Sequence, residues 1–183
     1  MDENKVQRKR LRERFLTKKA ILIILIALVL IGVGGTAAVV KASANPQFCT
    51  LCHNMQPMYD SYHDSNLLAN SHAKAEVKCH DCHESSLSIQ TEEGIKYITG
   101  NYESPMKTRE FPKEMCLKCH NYNDVKAKTV FPEDNGSNPH DSHNGDLECY
   151  TCHKMHEPSK ALCMDCHQFS WLNKLPAYFE QKK

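Results

Sequence analysis

The sequence predicts a mainly α chain with long loops, in which one N-terminal transmembrane helix precedes a compact domain of short helices. Three observations carry that reading. An unbroken apolar run extends from Ala20 to Val40. After Lys41 the helical periodicity is weak and turn signals such as Asn135-Gly136-Ser137-Asn138-Pro139 interrupt it, which leaves little room for sheet or long helix. All ten cysteines, finally, stand in one repeated motif.

The first element is a basic tail over residues 1–19. It holds Lys5, Arg8, Lys9, Arg10, Arg12, Arg14, Lys18 and Lys19 against Asp2, Glu3 and Glu13. The second is the apolar run, taken with Lys41 as an anchor over residues 20–41. At about 1.5 Å per residue it spans the roughly 30 Å hydrocarbon core of a bilayer. The basic tail keeps the N-terminus in the cytoplasm and puts residues 42–183 on the extracytoplasmic face. A cleaved signal peptide is the alternative, because Ala42-Ser43-Ala44 has the form of a cleavage site; the run is long for a signal peptide and favours an anchor. The exported part carries 14 Lys and Arg against 19 Asp and Glu, a net charge of −5. That balance excludes a nucleic-acid binder, which needs a basic face.

The third element is the repeated motif, first met as Phe48-Cys49-Thr50-Leu51-Cys52-His53-Asn54-Met55. Two cysteines separated by two residues and followed at once by histidine form the attachment site of a c-type haem. Here it occurs as Cys49/Cys52/His53, Cys79/Cys82/His83, Cys116/Cys119/His120, Cys149/Cys152/His153 and Cys163/Cys166/His167. Zinc sites and disulfides also use paired cysteines, but neither requires the histidine. With 11 histidines in 183 residues, five in five by chance is on the order of one in a million. Five covalently attached haems c are therefore expected, each iron held on one side by the motif histidine. Some 140 residues must then wrap five macrocycles, so the haems form most of the core. Phe169, Trp171, Tyr178 and Phe179 either pack on the last of them or close the C-terminus.

A low-potential six-coordinate haem needs a second axial ligand, and histidine suits pure electron transfer. Six histidines lie outside the motifs. His72, seven residues before the second motif, His140 and His143, an HxxH pair three apart on one helical turn, and His156, three after the fourth motif, are the candidate distal ligands. His156 lies too close to His153 to reach the opposite side of the same iron and is expected to serve a neighbouring haem. His80 sits inside its own motif and is assigned to packing or surface. His63 is left open between an exposed side chain and a ligand. Four distal histidines for five haems leave one short, and that one is taken to be the first.

Residues 1 to about 120, with the single anchor, CTLCHNM, SHAKAEVKCHDCH and KYITGNYE, resemble the NapC/NirT family of membrane-anchored multihaem quinol dehydrogenases, in particular the NrfH-like small subunit of nitrite reductase. The resemblance implies that Met55 ligates the first haem in place of His53; a gap-filling methionine is the alternative. It also implies a quinol site at Lys96 and Glu103. Seven residues are two helical turns, which would put both side chains on one face. A surface ion pair is the competing account. Residues 115–170 resemble instead the haem domain of flavocytochrome c fumarate reductases, through PHDSHNGDLECYTCHKMHEPSKALCMDCHQF.

These resemblances imply menaquinol as electron donor, an extracytoplasmic reductase as acceptor, flavin-dependent or of another kind, and membrane lipid around the anchor. An oligomer is allowed. A quinol-oxidising subunit is expected rather than a terminal haem reductase, since the lysine-bearing CxxCK motif of haem nitrite reductases is absent. An exported electron carrier without quinol chemistry is the other alternative.

Overall fold

The computed structural model describes residues 3–84 and 86–181, without the side chains of residues 3–6, 9–12, 16 and 53. It divides into two units, Met1–Ala44 and Asn45–Lys183.

The first unit is a single helix, α1 (Glu3–Ser43), of 41 residues. Its segment Glu13–Ser43 is long and apolar enough to cross a membrane, and none of its apolar window is buried by protein. Ile31 and Leu30 stand 70% and 66% exposed, the signature of a helix solvated by something other than water. The one polar side chain in the middle of the run is satisfied internally, as a bilayer demands: the Thr36 hydroxyl donates to the Gly32 carbonyl at 2.8 Å. The helix also runs on through the basic segment expected as a tail.

The second unit consists of short helices joined by turns. They are α2 (Gln56–His63), α3 (Leu68–Lys74), α4 (Cys79–Cys82), α5 (Leu87–Ile98), α6 (Lys113–Leu117) and α7 (Tyr122–Lys128), with single 3₁₀ turns at Pro46–Leu51, His53–Met55, Pro132–Asp134, Cys149–Thr151, Leu162–Asp165 and Ser170–Lys174. Among the described residues there are two isolated bridges, Phe131 to Ser137 and Ser159 to Phe179, and no strand. The expected fold class is the observed one.

Helix starts follow side-chain chemistry. The Ser86 hydroxyl accepts from the Ile89 N–H to open α5, and Asn121 Oδ1 accepts from the N–H groups of Asn123 and Asp124 to open α7. α5 stops at Ile98 because Gly100 adopts φ +72°, the left-handed conformation that ends helices.

Among the described residues, buried side chains are few. Ala161, Trp171, Leu172 and Phe179 form one small core, wrapped by Phe131, Phe169, Leu175 and Tyr178. Within it Phe169 and Phe131 stack on Trp171 at 5.8 and 4.9 Å, and the far face of Phe169 stacks on His167 at 4.7 Å. Asp134 pins this column by accepting from the Ser170 N–H, the Ser170 hydroxyl and the Trp171 N–H. The aromatic residues thus both close the C-terminus and reach the fifth motif through His167. A side-chain core this small cannot by itself order a unit of this length.

Candidate functional site

Each motif has its first cysteine in a short helical turn: Cys79 and Cys149 open theirs, Cys163 stands second in Leu162–Asp165, and Cys49 and Cys116 stand near the ends of Pro46–Leu51 and α6. In α4 the His83 N–H donates to the Cys79 carbonyl at 2.8 Å, and the same bond recurs from His120 to Cys116 at 3.0 Å, from His153 to Cys149 at 2.9 Å and from His167 to Cys163 at 2.8 Å. All ten cysteines are unbridged. Cysteines of successive motifs are neighbours. The thiols of Cys49 and Cys79 hydrogen-bond, which holds Cys49 down to about 7 and, with burial, drives Cys79 far up. Burial and then Cys149 raise Cys116 to about 11. Burial first, then the charges of Asp81 and Cys119, raise Cys82; burial and then Cys152 raise Cys163. The five motifs therefore follow one another in space in the order of the chain.

The histidines meet in pairs. His72 faces His120 with ring centres 6.1 Å apart, His156 faces His83 at 6.3 Å, His140 faces His153 at 6.1 Å, and His143 faces His167 at 6.0 Å. With a metal–imidazole bond of about 2.0–2.1 Å and about 1.1 Å from nitrogen to ring centre, two rings on opposite sides of one metal stand about 6.3 Å apart. Two rings on a tetrahedral ion would approach to about 5.1 Å. Among the described residues no three His, Cys, Asp or Glu side chains converge as they would on a bare ion. The donor set thus fits an iron held between two imidazoles, four times over.

Three of the pairing histidines are oriented from behind. His72 Nδ1 lies 2.9 Å from the Leu68 carbonyl, which can only accept, so Nδ1 carries the proton and Nε2 keeps its lone pair. His156 Nδ1 lies 2.6 Å from the Ser61 hydroxyl and His140 Nδ1 lies 2.9 Å from the Thr129 hydroxyl. Partners of this kind fix ring orientation in metal-binding histidines. Desolvation depresses His83, His140 and His156 and brings His153 down to about 4, which keeps these rings in the neutral form that binds metal.

The HxxH pair departs from expectation. Residues 140–143 lie in turns rather than on a helix, and the two side chains serve different motifs, His140 the fourth and His143 the fifth. His63 stacks on Tyr59 at 5.4 Å, and His80 lies half-buried on α4. At the first motif Met55 is half-buried at the end of the turn His53–Met55, its N–H donating to the Cys52 carbonyl at 2.9 Å. The expected role of the His53 side chain lies outside the described residues. Asn54, between the two, buries Oδ1 without a hydrogen-bond partner among the described residues.

Lys96 and Glu103 do not share a helix face. Because α5 ends at Ile98, Glu103 falls on the following loop and pairs with Lys107 at 2.7 Å, whereas Lys96 pairs with Glu92 at 2.6 Å. The Glu92 bond raises Lys96, and Lys96 lowers Glu92. Lys96 lines an open groove of about 600 Å³ with Leu87, Ser88, Thr91, Glu92 and Ile95. Glu93, the next residue on α5, is an electrostatic neighbour of Cys49 and of His83 and pairs with Arg109 at 3.2 Å.

Two families match this chain in overlapping halves. The NapC/NirT cytochrome c family, N-terminal region, matches residues 12–104, and cytochrome c3 matches residues 71–168. The chain belongs to the NapC/NirT cytochrome c family. It is a multihaem electron-transfer cytochrome with covalently bound haem c, and its family is membrane-anchored, in keeping with α1. The cytochrome c-type protein Cgr1 of Eggerthella lenta is 33% identical over 156 residues, covering 67% of this chain and 70% of that protein. The acrylate reductase cytochrome subunit of Shewanella woodyi is 32% identical over 96 residues, 51% of this chain and 65% of that protein. A protein of Shewanella frigidimarina described as "Probable fumarate reductase Ifc3" is 41% identical over 54 residues, 30% of this chain but 8% of its own length. No solved structure matches.

Proposed function

We propose that this cytochrome oxidises menaquinol at the extracytoplasmic face of the cell membrane and relays the electrons through five haems c to an exported reductase, a flavoprotein of fumarate-reductase type. The observation that carries the relay is the set of four histidine pairs, each at the spacing of two ligands on one iron. On this reading His83 and His156 hold the second iron, His120 and His72 the third, His153 and His140 the fourth, and His167 and His143 the fifth. The first falls to Met55 or His53. Bound haem supplies one-electron iron chemistry, and methionine in place of histidine raises the potential, which suits the entry point.

Residues 1–19 are the cytoplasmic segment, 20–41 the anchor and 42–183 the pentahaem domain. Cys49 follows Ser43, the last residue of α1, by six residues, so at most about 22 Å of chain separates the first attachment site from the end of the helix. The Lys96 groove receives the quinol head: its apolar wall of Leu87 and Ile95 suits the ring, and the ammonium holds the oxygen from which a proton departs. Oxidation releases two protons with two electrons; a carboxylate takes one proton and solvent water at the open groove takes the other. Glu103 occupies the family's position for that group, and Glu92 is the carboxylate in contact with Lys96. The names of the acrylate reductase cytochrome subunit and of Ifc3 both point to reductases of unsaturated carboxylates as acceptors.

Purified full-length protein in lipid nanodiscs, mixed anaerobically with a menaquinol analogue, tests this reading. The wild type is expected to become reduced, Lys96→Leu to be reduced by dithionite alone, and whichever of Glu103→Gln and Glu92→Gln removes the proton acceptor to behave likewise. Wild-type quinol rates in Lys96→Leu would remove Lys96 from the quinol site, and a wild type that dithionite reduces but the quinol does not would leave an exported electron carrier without quinol chemistry.

A further inference from the structure

We propose that Ser61 and Thr129 are positioning residues, each of which uses one hydroxyl to fix the tautomer of a distal histidine and to lower the midpoint potential of the iron that histidine binds. The inference rests on the axial pairing proposed above for His156 and His140.

A hydroxyl has one proton to give and two lone pairs to offer. Ser61 Oγ spends its proton on the Met58 carbonyl at 2.7 Å, three residues back on α2. What remains toward His156, 2.6 Å away, is a lone pair, so His156 Nδ1 must be the donor and its Nε2 is left bare for metal. Thr129 repeats the arrangement at the end of α7. Its hydroxyl has two acceptors for its one proton, the Val125 carbonyl four residues back and Asn138 Oδ1, each at 2.9 Å, so a lone pair is left toward His140 Nδ1, 2.9 Å away. Bonding of Ser and Thr back to their own helix carries a small cost to the helix. Here it has a use, because it orients the oxygen.

Burial strengthens the effect. Ser61 is 7% exposed and lies on a different element from His156, 95 residues away. The chain of bonds runs from Nδ1–H to hydroxyl to carbonyl, and each bond polarises the next. An imidazole that donates from Nδ1 is more basic at Nε2, and a more basic ligand favours the ferric over the ferrous state. His140 is further clamped by Asn138 Oδ1, which accepts its backbone N–H at 3.0 Å, and by Tyr122, whose hydroxyl donates to its carbonyl at 2.8 Å. Thr129→Val would therefore remove the hydroxyl while the backbone of His140 stays in place.

The test is haem-by-haem spectropotentiometry and low-temperature paramagnetic resonance on the full-length holoprotein, with haem content verified for each variant. Ser61→Ala is expected to lower the ferric-to-ferrous preference of one haem about tenfold, which raises its midpoint potential by about 59 mV for one electron. Thr129→Val is expected to shift a different single haem by a similar factor, and Thr129→Ser, which keeps the hydroxyl, to restore the wild-type value. His156→Met and His140→Met separate the two claims. If each changes one haem while Ser61→Ala and Thr129→Val shift none, or if Thr129→Ser shifts as far as Thr129→Val, the hydroxyl role is overturned and the pairing stands. If the histidine variants are themselves silent, the pairing falls and the hydroxyl role with it.

Discussion

Replacing His72 by alanine tests the cross-ligation on which the relay depends. His72 precedes the second motif by seven residues, and proximity in sequence would assign it to the second haem. The structure places it 6.1 Å from His120 of the third motif, within about 0.2 Å of the separation expected for two imidazoles on one iron. The perturbation should therefore appear at the third haem, left five-coordinate and high-spin with His120 alone. With four facing histidine pairs, the low-spin bis-imidazole signal should fall by about a quarter and one midpoint potential should rise. The polypeptide loses only the bond from Nδ1 to the Leu68 carbonyl, about 0.5–1.5 kcal/mol, so the fold should persist. Paramagnetic resonance of the oxidised protein reads the signal, and the double variant His72→Ala/His120→Met locates it. If both residues bind one iron, the double variant affects a single haem. Two affected haems would refute the pairing.

Met55→Leu keeps the volume and removes the sulfur lone pair; it is expected to change the spin state and potential of one haem of the five, and an unchanged titration would make Met55 a packing residue. Trp171→Ala removes a side chain that is 3% exposed and stacked against Phe131 and Phe169, a loss of about 3–5 kcal/mol. The urea midpoint followed by circular dichroism should fall by about 1–2 M; an unmoved midpoint would show that the haems alone order the C-terminal end.

What could be read from the sequence was whatever chemistry makes local. A membrane span must be contiguous, so Ala20–Val40 declared α1. Covalent attachment demands a fixed spacing, so the ten cysteines declared the cofactor. The pairing of His83 with His156 bridges 73 residues, and that of His72 with His120 bridges 48, distances over which neither periodicity nor spacing carries information. His156 was legible in part, because steric reach excluded its own haem. Placing His140 and His143 on one helical turn ran against the turn signal of Asn135-Gly136, legible in the sequence, and against Gly145; all three residues stand at positive φ. A single glycine likewise undid the common face of Lys96 and Glu103, since Gly100 turns the chain out of α5. Ser61 and Thr129 carried no signal at all. A serine and a threonine bonding back to their own helix are ordinary until a distant imidazole is seen above them.

On the proposed function, one chain of 183 residues holds five haems in a continuous relay. Intact-mass measurement of the purified holoprotein tests it most directly. The expected mass is that of the polypeptide plus five haems, falling by one haem when Cys163 and Cys166 are both replaced by serine. A mass of four haems or fewer in the wild type would contradict it.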